Sequence, residues 1–418
     1  MNTDFYRLGI APKLLDILES LNFKTPTPIQ AQSIPTAIEG KDLIGIAQTG
    51  TGKTLAFGIP MIQRIAQSVS GAGGQGLIVV PTRELALQVS ETLAKIGKPM
   101  GLNAAVVIGG VGIGPQIRDL SRKPNIIIAT PGRLIDHLNQ KTARLDNVSV
   151  VVLDEADRML DMGFLPQIKK ILIALPKERQ TLLFSATMPQ EITKIAAAYM
   201  KIPVRIEVAP AGTTVERVTQ ELFMVRKEQK LNLLTSLLQK SNGSTLVFSR
   251  TKFGAKKIVR HIRALGIKSA EIHSNRSLSQ RREALDGFKV GKYRVLVATD
   301  IASRGIDVTG IEFVINYDLP STPDDYVHRI GRTARAGASG HAITFASPDQ
   351  MREVRMIERL IRKPIPSSQL PDLPKVEPQP YIPGQSHSHR SFHPSSRSQH
   401  SSPRPNRSLG RDRSRFGR

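Results

Sequence analysis

The most constraining feature of the sequence is a recurring pattern in which a short apolar run stops abruptly at polar or glycine residues. In the first half of the chain the runs are Leu43–Ala47, Leu77–Val80, Ile126–Ala129, Val150–Leu153 and Leu182–Phe184. Amphipathic stretches such as Glu84–Ile96 lie between them. This alternation predicts an α/β fold with a parallel sheet that helices cover on both faces. Ligands of such sheets bind beyond the carboxyl ends of the strands, where these polar groups fall.

A second series of runs predicts a smaller α/β domain of the same kind. Its runs are Leu246–Phe248, Val295–Ala298, Phe313–Ile315 and His341–Phe345, the last of which is expected to close the sheet. The stretch Ala211–Thr214 has the composition of a linker. From Pro364 onward Pro, Ser, His and Arg dominate. The predicted organisation is an N-terminal domain over 1–207, a linker over 208–215, a second domain over 216–363 and a tail over 364–418.

Charge and composition narrow the class of partner. The chain has 418 residues and a net charge of +24, which favours a polyanion such as nucleic acid. It contains no cysteine, which excludes disulfides and thiolate zinc sites. No apolar run approaches the roughly 20 residues of a membrane span, and the first residues lack an apolar signal core, so a soluble cytoplasmic protein is expected. Residues 364–418 carry nine basic and three acidic side chains and few large aliphatics, which predicts disorder.

Two strand ends together predict a nucleoside triphosphatase. The residues Gly50-Thr51-Gly52-Lys53-Thr54 follow the run Leu43–Ala47 and form a glycine-rich loop of the kind that cradles phosphates. Lys53 is expected to contact the β- and γ-phosphates, and the Thr54 hydroxyl to reach Mg²⁺. After the run Val150–Leu153, Asp154 is expected to hold Mg²⁺ and Glu155 to orient and deprotonate the attacking water.

A basic cluster over His328–Arg335 lies in the predicted second domain. One interpretation is a solvated helix face. The other is that Arg332 and Arg335 act as arginine fingers, reaching the γ-phosphate across a cleft between the domains. In that arrangement hydrolysis depends on closure of the domains.

In this order and spacing, the residues resemble the DEAD-box ATP-dependent RNA helicases, and within them the bacterial RhlE-type group. The resemblance runs from about Phe5 to about Ser347 and implies two tandem RecA-like parallel-sheet domains that use ATP and Mg²⁺. Gln30 is then expected to read the adenine edge while an aromatic residue packs on the base, although Phe5 and Phe23 taken alone are more typical of core residues. The residues implied in nucleotide binding are Phe5, Phe23, Gln30, Ala47, Gln48, Thr49, Gly50, Thr51, Gly52, Lys53, Thr54 and Asp307.

The resemblance also implies an RNA-binding surface and a set of residues that couple it to hydrolysis. The implied RNA contacts are Pro81, Thr82, Arg83, Gly109, Gly110, Thr130, Pro131, Gly132, Arg133, Arg281, Thr299, Arg304 and Gly305. The implied coupling residues are Asp157, Ser185, Thr187 and His328. Such groups suit phosphates and sugars, so binding independent of base sequence is expected, with 2′-hydroxyls distinguishing RNA from DNA.

Three positions depart from the family pattern, and a fourth departs from the general phosphate-loop pattern. Ala47 stands where the general phosphate-loop pattern has glycine, and Asn22 stands where the family has glycine before the aromatic residue. In the segment His273–Arg281, Ser274 replaces a glycine and Leu278 stands near an expected glutamine. Arg281, in the same segment, still occupies the expected basic position.

The expected function is therefore RNA-stimulated ATP hydrolysis that unwinds short RNA duplexes or remodels RNA–protein complexes. Three alternatives stay open: a DNA helicase or translocase, a non-enzymatic RNA-binding or annealing protein, and an ATP-dependent clamp on RNA. RNA is the expected partner, with ribosomal precursors and RNA-decay complexes as candidates. A monomer that does not associate with membranes is expected.

Overall fold

The chain forms two α/β lobes in the computed structural model, which describes residues 4–48, 50–67, 74–208, 218–300, 308, 310–334 and 340–373. The first lobe comprises residues 4–208 and the second lobe residues 218–373. Each lobe contains one seven-stranded sheet. All strand pairs in both sheets are parallel, as the sequence pattern predicts.

The first sheet has the strand order β3-β4-β2-β5-β6-β1-β7. Its strands are β1 (Leu43–Ile46), β2 (Gln75–Val79), β3 (Ala104–Val107), β4 (Ile126–Ala129), β5 (Val148–Leu153), β6 (Gln180–Ser185) and β7 (Val204–Glu207). Along β5, Val150 and Val152 enter one hydrophobic core while Val151 and Leu153 enter the other. Because both faces are buried, the strand appears in the sequence as a continuous apolar run.

Helices cover both faces of the first sheet. They are α1 (Pro12–Ser20), α2 (Pro28–Ile38), α3 (Lys53–Gln67), α4 (Arg83–Gly97), α5 (Ile113–Ser121), α6 (Pro131–Asn139), α7 (Ala156–Asp161), α8 (Leu165–Ala174) and α9 (Gln190–Tyr199). Short 3₁₀ turns occur at Phe5–Leu8 and Lys98–Met100. Helices α1 to α4 pack on one core, and α6 to α9 on the other.

The second sheet has the order β10-β11-β9-β12-β13-β8-β14. Its strands are β8 (Val218–Met224), β9 (Thr245–Phe248), β10 (Ser269–Ile272), β11 (Val295–Ala298), β12 (Phe313–Asn316), β13 (Gly340–Ala346) and β14 (Ser367–Ser368). The helices are α10 (Lys230–Lys240), α11 (Lys252–Ala264), α12 (Leu278–Lys289), α13 (Pro323–Ile330) and α14 (Met351–Ile361), with a 3₁₀ turn at Pro348–Gln350.

Two expectations about the second lobe need correction. The strand containing His341–Phe345 does not close the sheet, since β13 also pairs with β8 along Val218–Met224. Strand β8 was not predicted because apolar and polar residues are mixed along it and form no continuous apolar run. The ordered lobe also extends past Pro364: Ile365 is buried in a core cluster and Ser367–Ser368 pair with β8. The rest of the predicted tail, residues 374–418, lies outside the described residues.

Among the residues that the structure describes, none of the helices has the length and apolar character needed to span a membrane.

Candidate functional site

The order of strands in the first sheet sorts the predicted site residues into two neighbouring groups. Lys53 follows β1, Asp154 follows β5 and Ser185 ends β6, and these three strands are adjacent. The predicted RNA contacts at Thr82, Gly109 and Thr130 follow β2, β3 and β4, which are also adjacent. Both groups lie at the carboxyl edge of the sheet, where ligands of parallel sheets bind.

The glycine-rich loop between β1 and α3 has the backbone of a phosphate-binding turn. Gly50 and Gly52 have positive φ angles of 84° and 88°, and helix α3 begins at Lys53. The Thr51 hydroxyl donates to the carbonyl of Gln48 at 2.7 Å and closes the turn. The buried Lys53 ammonium donates to the carbonyl of Ala47 at 3.1 Å, so it points into the concave side of the loop. A helix N-terminus behind such a loop favours anions.

Gln30 connects the predicted adenine-reading segment to this loop. It is buried on α2, its Oε1 accepts from the backbone N–H of Thr27 at 2.9 Å, and its Nε2 donates to the carbonyl of Gly52 at 3.0 Å. A side chain at position 52 would place its Cβ 2.4 Å from Nε2 of Gln30, so glycine is required there for this approach as well as for its φ angle. The amide retains one N–H and one acceptor lone pair for a ligand.

Asp154 is a buried carboxylate beside Lys53. Its Oδ1 accepts from the backbone N–H of Glu155 at 2.9 Å and lies 3.8 Å from the Lys53 ammonium. Burial raises the pKa of Asp154 to about 6, against the opposing effect of Lys53. A second cation at this carboxylate would therefore offset the cost of keeping it charged in a buried site.

Glu155 has an unusual backbone and one free oxygen. Its φ and ψ of 53° and 52° lie in the left-handed region, which costs a non-glycine residue of order 1–3 kcal/mol and clusters at functional sites. Its Oε2 pairs with the guanidinium of Arg158, while its buried Oε1 has no hydrogen-bond partner. Burial raises the pKa of Glu155, but Arg158, Lys53 and Arg332 outweigh burial and hold the pKa below its ordinary value. The side chain is thus an ionised carboxylate with one oxygen available to accept a proton.

Arg158 was not among the residues predicted from the sequence. It lies on α7 three positions after Glu155, and this i,i+3 spacing of opposite charges is the signal that could have identified it. Its side chain also borders a small cavity whose other walls belong to the second lobe: Phe248, Asp300, Asp325, His328, Arg329 and Arg332. Arg158 therefore links the predicted base to the opposite lobe.

Asp157 joins the end of β5 to the segment after β6. Its Oδ2 accepts from the backbone N–H of Ala186 at 3.1 Å and of Thr187 at 2.8 Å, and from the Thr187 hydroxyl at 2.9 Å. Its own N–H donates to the hydroxyl of Ser185 at 3.1 Å. Burial raises the pKa of Asp157, but His328 in the second lobe, Lys53 and Thr187 outweigh burial and lower it. The four predicted coupling residues therefore meet in one place.

Arg329 in the last turn of α13 and Arg332, two residues after the helix, have different environments. Arg329 is bound within the second lobe: it forms a bidentate pair with Asp300 at 2.6 and 2.8 Å and donates to the Asn316 side chain at 3.1 Å. Arg332 is buried, donates to the carbonyl of His328 at 3.3 Å, and acts electrostatically on Glu155 of the first lobe. Of these two, Arg332 is the one that faces the predicted base.

The predicted RNA contacts of the first lobe lie together at the carboxyl edge of the sheet, where Arg83, Gly109, Gly110, Gly132 and Arg133 are at least partly exposed and the others are buried. Thr82 caps α4 by accepting from the N–H of Leu85 at 3.3 Å, and the neighbouring Arg83 guanidinium lies across Gly110. At position 110, which has a φ of 76°, a Cβ would lie 1.8 Å from that guanidinium. Arg133 donates to the carbonyl of Val111 at 3.0 Å. The remaining members, Pro81, Thr130, Pro131 and Gly132, lie at the ends of β2 and β4 and the start of α6.

Gln116 is a second residue that sequence patterns did not reveal. Its buried amide accepts from the N–H of Ile108 at 3.1 Å and donates to the carbonyls of Ile108 at 2.9 Å and Gly112 at 3.3 Å. These bonds hold both ends of the loop that contains Gly109 and Gly110. No local sequence signal marks such a role, because it depends on the fold of the loop.

The segment around Arg281 contacts the first lobe. Arg281 pairs with Glu84 at 3.0 Å, where both side chains are largely buried, and Arg282 pairs with the exposed Glu91 at 2.8 Å. Leu278, which departs from the family pattern, packs against the first-lobe core. The departure thus replaces a polar residue by an apolar contact between the lobes. His273, by contrast, is buried beside Glu271 within the second lobe, and burial lowers the pKa of its ring.

Two other departures from the expected sequence, Asn22 and Ala47, have a local explanation. Asn22 has a φ of 61°, and asparagine is the residue that best replaces glycine in the left-handed region. Ala47 is buried in the core, with its N–H bonded to the carbonyl of Ser185 at 2.9 Å.

The two aromatic candidates for the adenine site differ in exposure. Phe5 is buried in the same core as Ala47, whereas Phe23 is 38% exposed. Exposure favours Phe23 over Phe5 as an aromatic surface for a base.

Five of the predicted site residues lie outside the described residues: Thr49, Arg304, Gly305, Asp307 and Arg335. Thr299, just before them, is partly exposed at the end of β11, where its N–H donates to the carbonyl of Ile272 at 3.2 Å.

The donor set at the phosphate loop fits magnesium. The available groups are the Thr54 hydroxyl and the Asp154 carboxylate, and hard oxygen donors are what Mg²⁺ prefers. Within the described ranges, no three His, Cys, Asp or Glu side chains are grouped so as to hold a metal on their own. Mg²⁺ is usually held by one or two carboxylates together with water and substrate phosphates.

Comparison with known families matches both lobes. Residues 27–195 match the DEAD/DEAH box helicase family, and residues 229–337 match the helicase conserved C-terminal domain. The chain is 44% identical over 372 residues to the DEAD-box ATP-dependent RNA helicase CshA of Bacillus cereus, covering 89% of this chain and 70% of that protein. It is 44% identical over 374 residues to CshA of Bacillus subtilis, covering 89% and 75%.

Solved structures with similar folds contain RNA and nucleotide analogues. Dbp5 of S. cerevisiae bound to RNA and ADP BeF3 superimposes with a TM-score of 0.78 at 29% identity, covering 87% of this chain and 95% of that one. Mss116p bound to ssRNA and AMP-PNP gives a TM-score of 0.82 at 26% identity, covering 89% and 80%.

Proposed function

Because the chain belongs to the DEAD-box ATP-dependent RNA helicases, we propose that RNA-stimulated ATP hydrolysis drives local unwinding of short RNA duplexes or remodelling of RNA–protein complexes. The observation that carries this proposal is the charge cluster shared by both lobes: Glu155 lies within the electrostatic influence of Arg332, and Asp157 within that of His328. Catalysis built from both lobes makes hydrolysis depend on their closure.

In this mechanism each residue at the carboxyl edge has a defined task. Lys53 and the backbone N–H groups of its loop bind the ATP phosphates. Thr54 and Asp154 would hold Mg²⁺, which supplies charge neutralisation at the β- and γ-phosphates. Glu155 Oε1 accepts the proton of the water that attacks the γ-phosphorus. Arg332, together with Arg335, stabilises the charge that develops on the γ-phosphate.

RNA is held by groups that contact its backbone. Arg83, the Gly109–Gly110 loop and Arg133 supply donors from the first lobe, and Arg281 and Thr299 supply them from the second. Because such contacts position a strand without reading bases, binding should be independent of sequence. Closure brings the two sets together on one strand, so a duplex that spans them must open locally. Reciprocity requires RNA to tighten ATP binding by the factor by which ATP tightens RNA binding.

The general proposal is tested by two assays on the full chain. ATP turnover should rise with single-stranded RNA and respond far less to DNA of the same sequence. A short RNA duplex should separate in the presence of ATP. RNA-stimulated turnover without strand separation would favour the clamp alternative, and equal stimulation by DNA would contradict the proposed discrimination.

Finer assignments extend this proposal. We place the chain in the RhlE-type group on its motif sequence from Phe5 to Ser347, in the cytoplasm, and in complexes with ribosomal precursors or RNA-decay factors. The proposed boundary between the two domains, over residues 208–215, is supported by the end of β7 at Glu207 and the start of β8 at Val218. Crosslinking the chain to cellular RNA and mapping the sites would test the choice of RNA.

Replacing Gln30 should reduce selectivity for adenine. Its amide can pair with N6 and N7 of adenine, and it is also bonded to Gly52. In Gln30→Ala we expect a raised KM for ATP and a smaller difference between ATP and GTP, measured as kcat/KM for each nucleotide under saturating RNA.

Gln30→Glu is the matched variant for this prediction. It keeps the oxygen that accepts from Thr27 but loses the donor, so selectivity should fall while helix α2 keeps its start. Thermal unfolding of both variants checks the fold. Hydrolysis of GTP by the wild-type protein at the rate of ATP would show that Gln30 does not select adenine.

The basic C-terminal segment should act as an RNA tether. We propose this role from the nine basic and two acidic residues of Lys375–Arg418, and from Tyr381, Phe392 and Phe416, which can stack on bases. Because Ile365 and Ser367–Ser368 belong to the second lobe, the deletion should remove Lys375–Arg418 rather than everything after residue 363. We expect weaker RNA binding and a flatter salt dependence, by about 0.7 in slope for each lost phosphate contact on single strands.

The readout that separates a tether from a catalytic element is turnover at saturating RNA. A tether raises the local RNA concentration, so the deletion should raise the RNA concentration for half-maximal ATPase and leave kcat unchanged. Salt-dependence lines that coincide with those of the full chain would exclude the tether. A collapse of kcat at saturation would assign the segment to the catalytic core.

A further inference from the structure

Helix α11 carries an unusual concentration of positive charge. Over Lys252–Ala264 it contains five Lys or Arg side chains and no Asp or Glu. Lys256, Lys257 and Arg260 are exposed, and in the part of the chain that the structure describes none of them forms an ion pair with an acidic side chain. By comparison, the basic residues of α12 are accompanied by Glu283 and Asp286, and Arg282 pairs with Asp286 at 3.6 Å.

This arrangement is unfavourable for the helix alone. Lys252 and Lys256, and Lys256 and Arg260, are spaced i,i+4, where like charges destabilise a helix by about 0.2–0.5 kcal/mol per pair. No acidic side chain in its first turn compensates the charge of Lys252. Folding therefore gives no reason for this charge, whereas a polyanionic ligand does.

An exposed aromatic residue lies on the same face. Phe253 is 72% exposed, and its position one turn before Lys256 and Lys257 and two turns before Arg260 places all four on one side of α11. The Lys252 ammonium lies 5.4 Å from the centroid of the Phe253 ring. A scattered exposed apolar residue needs no explanation, but an aromatic ring among unpaired cations has the composition of a single-strand binding surface.

This face adjoins the RNA contacts proposed above. Helix α11 begins beyond the carboxyl end of β9, which lies beside β11 and so close to Thr299. The Lys252 ammonium donates to the Asn275 side chain at 3.1 Å, and Asn275 belongs to the segment that leads to Arg281. A strand bound at Arg281 and Thr299 would therefore reach Phe253 by a short extension.

We propose that Lys252, Phe253, Lys256, Lys257 and Arg260, here called the α11 face, bind a single-stranded RNA segment that extends beyond the cleft. The lysine and arginine side chains contact consecutive phosphates, and Phe253 stacks on an unpaired base. The inference rests on the proposed RNA-dependent function and adds a contact outside the catalytic cleft. A duplex suits this face poorly, because its bases are already stacked and cannot accept the ring.

The test compares RNA oligonucleotides of two lengths, using the full chain and a non-hydrolysable ATP analogue. The shorter oligonucleotide spans only the cleft, and the longer one extends past it. Phe253→Ala should lower affinity for the longer RNA by about 5- to 100-fold, the range expected for one stacked base, and leave the shorter RNA unaffected. Phe253→Trp should retain binding. Val290→Ala, at an 80% exposed apolar residue of the same lobe, is the matched control.

The contribution of the basic side chains and the location of the bound RNA are measured separately. The triple variant Lys256→Gln, Lys257→Gln, Arg260→Gln should reduce the salt slope for the longer RNA by about 2, at about 0.7 per phosphate contact. Ultraviolet crosslinking of the wild-type protein to the longer RNA should label the peptide containing Phe253. The kcat of ATP hydrolysis at saturating short RNA should stay unchanged in every variant.

The inference is overturned if Phe253→Ala binds the longer RNA as tightly as the wild type, or if Val290→Ala loses as much affinity. Loss of affinity for duplex RNA alone would also overturn it, since the face would then bind double helices. If RNA does not stimulate ATP hydrolysis by the wild-type protein, the proposed function is contradicted instead. The crosslink would then still test RNA binding by the α11 face independently.

Discussion

Replacing Glu155 by glutamine is expected to stop ATP hydrolysis while ATP and RNA remain bound. The amide cannot accept the proton of the attacking water, and loss of a general base costs about two to four decades in rate. Because the left-handed backbone at Glu155 and its bond to Arg158 fix the side chain, the glutamine oxygen should keep that contact and the closed arrangement should persist. Single-turnover kinetics and RNA affinity with ATP measure the two effects separately.

Lys53→Ala serves as the contrast for this prediction. Removal of its buried ammonium from the phosphate loop should weaken nucleotide binding itself, so RNA affinity should no longer rise on addition of ATP. Glu155→Gln should instead show RNA affinity with ATP at least equal to that of the wild type. Turnover of Glu155→Gln near the wild-type rate would remove Glu155 as the base.

Arg332→Ala should lower kcat by two or more decades and leave nucleotide-free RNA binding almost unchanged. The expected size follows from other arginine fingers, which contribute about 10³–10⁵ to the rate. The structural basis is the location of Arg332: it is buried two residues after α13 and acts electrostatically on Glu155 across the lobes. RNA-saturated ATP turnover and RNA titration without nucleotide are the two measurements.

Arg332→Lys is the matched variant, because lysine keeps the charge and loses the planar fork that holds two phosphate oxygens. A partial recovery of kcat with lysine would show that charge alone supplies part of the effect. Equal losses of nucleotide-free RNA affinity and of kcat in Arg332→Ala would identify the residue as a phosphate contact for RNA.

The strands that sequence patterns predicted are those with both faces buried, each face against its own hydrophobic core. Strand β5 is the clearest example, since Val150 and Val152 enter one core and Val151 and Leu153 the other. Strands with weaker signals were missed: β8 mixes polar and apolar residues, and β14 has two residues held by pairing with β8. Their position in the sheet is decided by neighbours that are distant in sequence.

The same distinction, between local sequence signals and contacts with distant segments, applies to the site. Lys53 and Asp154 were predictable because a loop or a strand end defines each locally. Gln116 and Leu278 depend on contacts with other segments, and their side chains alone do not reveal a role. Arg158 has only one local signal, its i,i+3 spacing from Glu155. Asn22 is intermediate: its residue type predicts tolerance of a positive φ, and the structure shows that φ is indeed 61°.

The order of strands in the first sheet has an evolutionary consequence. Loops after β3, β4 and β2 can change in length and sequence without touching β5, β6 and β1, because the two groups occupy opposite halves of one edge. They meet at the β2–β5 pair, where the N–H of Asp154 donates to the carbonyl of Val79 at 3.0 Å. Substitutions that change how tightly RNA is held can therefore accumulate on one half of the edge, while the nucleotide-binding groups on the other half are preserved.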